Sequence, residues 1–161
     1  MAETEIKANA SVREYITFRI GAQYYCIDIM SVREIRGWTP ATVLPRAPGF
    51  VRGVINLRGV VLPIIDLADR LGFAPAEPTP RHVIIVTQTG RQVVGLLVDA
   101  VGEVLELPDA AREQNPINLD RKLAAVSAGV YRLDGRLLVV IRAMNVVPDA
   151  VWQPLRSAAS A

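Results

Sequence analysis

Ile16, Phe18 and Ile20 alternate with Tyr15, Thr17 and Arg19, the period-two pattern of a strand with one face on a core. Gly21-Ala22 supplies a turn, and Tyr25, Ile27 and Ile29 alternate with Cys26 and Asp28 beyond it. From about Glu14, then, the chain opens on a β-hairpin. Ile29 to Ile35 reads as one short helical turn stopped at Gly37. Pro40, Pro45 and Pro48 punctuate an extended stretch, 38–49, with Val43-Leu44 as a short strand. In GVINLRGVVLPIIDL, residues 53–67, two apolar runs flank Arg58-Gly59, a second hairpin signature. Asp66 is placed to N-cap a short helix, LADRLG, that ends at Gly72.

FAPAEPTP, residues 73–80, has three Pro in eight positions and marks the best boundary in the chain. Beyond it, HVIIVTQ and RQVVGLLVDAVGEVLEL read as strands around a turn at Gly90. Asp109 to Asp120 is polar and reads as a loop. Val126–Leu133 and Arg136–Arg142 flank Asp134-Gly135, the strongest hairpin dipeptide present, and AMNVV follows as a short helix. No segment carries the sustained 3.6-residue stripe of a long helix. Short strands with turns every 8–12 residues predict an all-β fold, as small barrels or a sandwich.

The two halves repeat. GVINLRGVVLPII (53–65) lies over GVYRLDGRLLVVI (129–141) at an offset of 76, with Gly53, Val54, Leu57, Gly59, Leu62 and Ile65 matched identically. DIMSVREI (28–35) lies over LVDAVGEV (97–104) at an offset of 69, where Val32 meets Val101 and Glu34 meets Glu103. The expected organisation is a polar tail (1–13), a first β unit (14–81), a second (82–149) and a C-terminal tail (150–161). A unit of about 65–70 residues is marginal alone, so the two are expected to share an apolar interface, with a groove at the seam.

Composition sharpens this mainly by exclusion. Val and Ile contribute 34 of 161 residues, which suits pleated sheets. One His (His82) and one Cys (Cys26) rule out an intrachain disulfide and leave too few ligands for a His/Cys metal cage. No phosphate-binding, dinucleotide, nucleophile-elbow or zinc-protease motif is present. His82 reads as a strand-edge residue and Cys26 as a small buried hydrophobe in a reducing cytoplasm. Trp38 and Trp152 read as lids over barrel ends. MAETEIKANA has no signal-peptide character, and no apolar run approaches the ~18 residues of a spanning helix. The pI of about 9.0, together with a small barrel, admits a nucleic-acid binder as the alternative reading. Against it, the 16 Arg are scattered and aromatics are only 6%.

Arg58 stands out. It takes the first position of a tight turn where the other copy has Asp134, an ordinary turn former. In a type I′ turn it would need positive φ, a strained state for a long side chain. Glu34, and Glu103 in the second copy, are the other charges that the repeat singles out.

The combination Val32-Arg33-Glu34-Ile35-Arg36-Gly37, Asn56-Leu57-Arg58-Gly59 and Pro63-Ile64-Ile65-Asp66-Leu67 at this spacing resembles the CheW family of bacterial chemotaxis coupling proteins over about residues 14–148. The resemblance implies two SH3-like five-stranded β-barrel subdomains around a shared core, with short helices. It implies a cytoplasmic, non-catalytic adaptor with no cofactor or metal. The implied partners are the cytoplasmic tips of methyl-accepting chemoreceptors and the regulatory domain of the histidine kinase CheA, with no nucleic acid and no membrane insertion. Carried over residue by residue, it places Val32, Glu34, Ile35, Gly53, Arg58 and Val104 at the receptor contact and assigns no residue to the kinase.

Overall fold

The computed structural model describes residues 11–149 and residue 151. The described residues form ten strands: β1 (Val12–Ile20), β2 (Gln23–Asp28), β3 (Val32–Gly37), β4 (Val51–Leu57), β5 (Val60–Asp66), β6 (Val83–Thr89), β7 (Gln92–Val98), β8 (Ala100–Pro108), β9 (Ser127–Leu133) and β10 (Arg136–Ile141). Between them lie short helices α1 (Leu67–Arg70), α2 (Arg121–Val126) and α3 (Ala143–Val146), and 3-10 turns at Ile29–Ser31 and Asp109–Ala111. Trp152 and most of both expected tails fall outside the described residues.

The strands form two five-stranded sheets, in the orders β8-β1-β2-β10-β9 and β3-β6-β7-β5-β4. The repeat holds element by element: β1 to β5 correspond to β6 to β10, and every pairing has its mate. The antiparallel β1–β2 hairpin answers β6–β7, and β4–β5 answers β9–β10. The parallel pair β2–β10 answers β7–β5. The expected split at 81/82 is nevertheless not the division between sheets, because each half gives its first hairpin to the other half's last three strands. One sheet is built from residues 12–28 and 100–141, the other from 32–98. Both hairpins are apolar on both faces, so either set of three strands can accept either hairpin. The exchange ties the halves together through their hydrogen-bond ladders.

Strand alternation then fills three apolar layers. On β1, Ile16, Phe18 and Ile20 enter a large shared core with Tyr25, Ile65, Ile85, Leu96 and Ile141. Tyr15 points the other way, into a small core with Cys26, Tyr131 and Val140, inside the first sheet. Ile55, Leu62, Ile64, Ile84 and Leu97 fill the matching core of the second sheet, and Trp38 packs against it as a lid. Each sheet thus closes one face on its own core and turns the other to the shared one.

Local chemistry explains most boundaries. Asp66 caps α1, its carboxylate accepting from the Asp69 N–H. Asp28 caps the turn at Ile29–Ser31 in the same way through the Met30 N–H. Helix stops there. Val32–Gly37 is a strand, contrary to the expected helical turn through Ile35, because Val32, Glu34 and Arg36 alternate with the more exposed Arg33, Ile35 and Gly37. The expected strand at Val43-Leu44 reduces to one bridge, Thr42 to Val54. The polar loop after Asp109 bridges at Glu113 to Val130, and Asp120 at its end caps the helix that follows, α2.

Cys26 is fully buried, and desolvation pushes its thiol up to about 12, which keeps it protonated and inert. Tyr25 is also fully buried, stacked on Phe18 with ring centroids 5.7 Å apart. Its hydroxyl finds no hydrogen-bond partner among the described residues, and burial pushes its pKa up to about 12. An unpartnered buried hydroxyl is a net cost. Tyr25→Phe is therefore expected to stabilise the protein by about 1 kcal/mol in urea unfolding. A loss of stability would show that the hydroxyl is satisfied in solution.

Candidate functional site

The β4–β5 hairpin closes through the pair Leu57–Val60, with Arg58 at φ 50° and Gly59 at φ 82°. These are the two left-handed residues of a type I′ turn, the case in which the sequence calls for positive φ at Arg58. The Gly59 N–H donates to Asn56 Oδ1 at 3.0 Å, locking the tip. Asp134 takes the same strained conformation, φ 50°, in the other copy. A short polar residue tolerates that conformation better than Arg does, so turn stability does not account for Arg58.

What Arg58 does instead is reach across the barrel mouth. β3 and β4 are the two edges of their sheet, and the sheet curls until the Arg58 guanidinium Nη2 meets Glu34 Oε1 on β3. Glu34 also lies 3.8 Å from the Arg36 guanidinium, so its charge is held from two sides. The Arg58 side chain remains 69% exposed and that of Glu34 28%. A shallow depression lies at the pair, lined also by Arg33, Leu57, Val60 and Leu62. An ion pair this exposed is worth about 0–1 kcal/mol, too little to explain its presence by stability. Chemically it is an oriented cation with an apolar margin, since Val60 and Val61 are exposed beside it.

The other expected positions fall at different places. Ile35 is 44% exposed but projects opposite to Glu34 on β3. Val32 packs against the shared core, as does its repeat mate Val101. Val104 is 49% exposed on β8, an edge of the other sheet. Gly53 is buried, at φ 143° in a bulge of β4, against the chain's own Thr42. The structure thus joins Glu34 to Arg58 and turns Gly53 inward. The equivalent mouth of the first sheet has no such pair, because Glu103 and Asp134 stand where Glu34 and Arg58 would be.

His82 is engaged at both ring nitrogens. The Thr79 N–H donates to Nδ1 at 3.0 Å, and Nε2 lies 3.4 Å from Asp99 Oδ1. Its work is to fasten the Pro-rich linker to the β7–β8 junction. No cluster of three or more His, Cys, Asp or Glu able to hold a metal occurs among the described residues. No helix among them is long and apolar enough to cross a membrane.

Fold and surface together define a duplicated all-β domain whose two halves exchange hairpins about a common core. A family model described as a CheW-like domain matches residues 14–151. The chain is 55% identical over 136 residues to the probable chemotaxis protein CheW of Rhizobium etli, covering 83% of this chain and 86% of the relative. It is 51% identical over 137 residues to the chemotaxis protein CheW of Rhizobium meliloti, covering 85% and 88%. Among solved structures, the scaffolding protein TtCheW from Thermoanaerobacter tengcongensis superposes with a TM-score of 0.72 at 30% identity, covering 80% of this chain and 88% of that one. The chain belongs to the CheW-like family.

Proposed function

We propose that this protein is a non-catalytic chemotaxis adaptor that joins the cytoplasmic tips of methyl-accepting chemoreceptors to the histidine kinase CheA. Family membership supports the scaffolding role, since relatives across most of the chain are named chemotaxis protein CheW and the similar solved structure is named a scaffolding protein. The observation that carries the receptor contact is Arg58, strained at a hairpin tip, aimed by Glu34 and mostly exposed. Ile35 and Val104 supply exposed apolar area to a helical receptor tip, and Glu34 with Arg58 set its register. Val32 and Gly53 act from beneath, by fixing β3 and β4. Weak contacts of this kind gain strength in an array through multivalency.

Arg58→Asp reverses the exposed charge and sets two carboxylates against each other. It is expected to lower capture by receptor signalling fragments by about tenfold or more, with the melting temperature unchanged because the pair contributes little to stability. Undiminished capture would place the receptor elsewhere. The wild-type chain should also be retained by the CheA regulatory domain at micromolar concentration, the order typical of transient interfaces, and absence of retention there would remove the coupling role.

A further inference from the structure

The second copy of the repeat opens a cleft where the first is closed. Extending the 76-residue offset by one position at either end sets Ala128 on Arg52 and Arg142 on Asp66, and carries α1 (67–70) onto α3 (143–146). In the first copy the place is filled. The Asp66 carboxylate is 1% exposed and accepts from Arg52 Nε at 3.2 Å and from the Ala76 N–H at 2.9 Å. In the second copy a guanidinium replaces that carboxylate and a methyl group replaces its arginine.

The result is a cleft lined by Arg13, Tyr15, Asp28, Arg112, Ala128 and Arg142, among others. Its acid is already consumed: Asp28 takes Arg13 Nη1 at 3.1 Å on one oxygen and the Met30 N–H at 2.9 Å on the other. Arg13 is neutralised further by Asp109 at 3.0 Å. Arg112 and Arg142 are exposed, and among the described residues neither side chain has an ion pair or hydrogen bond. Two arginines thus line one concavity without a counter-charge among the described residues, and one of them, Arg142, stands at the position where the sister copy holds a carboxylate.

We infer that this cleft binds a carboxylate side chain presented by an acidic segment of a protein partner, with Arg112 and Arg142 as its binding residues. A planar guanidinium fork matches a carboxylate in two parallel hydrogen bonds. The cleft is open to solvent, and Met144 on its rim, 59% exposed, offers an apolar contact to a passing chain. The site shares no residue with the Glu34–Arg58 pair, so it stands or falls separately from the receptor reading.

The test titrates acetyl-hexaglutamate amide into the full-length chain at low ionic strength, followed by amide and arginine-side-chain NMR. Saturable shifts concentrated at Ser31, Arg112, Ala128, Ala143 and Met144 are expected. R112Q/R142Q should weaken binding at least about tenfold, the loss typical of removing charge-assisted hydrogen bonds, at an unchanged melting temperature. Arg58→Asp should leave binding unaltered. The proposal is overturned if the shifts scatter over the surface or do not saturate, if R112Q/R142Q binds as the wild type does, or if inorganic phosphate or a short single-stranded oligonucleotide at matched charge gives equal shifts at the same residues.

Discussion

Asp66→Ala is expected to destabilise the protein by about 3 kcal/mol, roughly a 10 °C fall in melting temperature for a chain this long. Three losses combine. Helix α1 loses its cap at the Asp69 N–H, worth about 1 kcal/mol. The Pro-rich linker loses the anchor that holds the Ala76 N–H at 2.9 Å. Arg52 loses its counter-charge: Nε donates to Oδ2 at 3.2 Å, and Nη2 lies 3.1 Å away but off the hydrogen-bond direction. The Arg52 side chain is 28% exposed, so water recovers part of that cost and the estimate sits at the lower end for a broken buried pair. Asp66→Asn keeps one acceptor oxygen, enough for only one of the two N–H groups, and sets its amide nitrogen against the other, so it should recover only part of the loss. A variant Asp66→Ala that melts within about 2 °C of the wild type would show that the linker and α1 hold without this carboxylate.

Asp66 also shows how far the sequence could be read. Its capping role follows from Asp before LADR, and the structure adds the linker anchor and the Arg52 pair. The turns were legible for the same reason, since x-Gly between apolar runs has few other solutions. The positive φ at Arg58 follows directly from that turn. The exchange of hairpins was not legible. Ile84-Ile85-Val86 and Tyr15-Ile16 each present apolar groups to both faces, and nothing local says which three strands lie beside them. Strand β3 departs from the expected helical turn because VREIRG is consistent with one helical turn as well as with alternation. Its ladder to β6, Glu34 against Val86 and Ile35 against Ile85, decides the matter over a long sequence distance. Arg142 has a signal in the sequence, one position past the matched block: the repeat sets it opposite Asp66, a reversal of charge at an equivalent place.

Gly53→Ala is expected to cost still more, about 3–5 kcal/mol, at the exceptional end for a single methyl group. Gly53 sits at φ 143°, which an L side chain rarely adopts and which alone costs of order 1–3 kcal/mol. A Cβ there would stand 2.2 Å from the Thr42 carbonyl oxygen and 2.6 Å from its carbon, both main-chain atoms that cannot swing aside. The strap around Thr42 must then lift. That breaks its two bonds to Val54, 2.8 and 2.9 Å long, and uncovers the edge of β4. The repeat supplies an internal control. At Gly129, φ 130°, a Cβ would stand 2.7 Å from the Glu113 carbonyl oxygen, so Gly129→Ala should destabilise in the same way on the sheet that carries neither Glu34 nor Arg58. The pattern of loss separates two roles that look alike in a binding assay. Gly53→Ala should lose receptor capture together with its melting temperature, and osmolyte stabilisation should restore both. Arg58→Asp should lose capture alone and gain nothing from osmolyte. If Gly53→Ala instead kept its melting temperature while losing capture, the residue would be a contact in its own right, and the inward placement of its backbone would not be the reason the binding site depends on it.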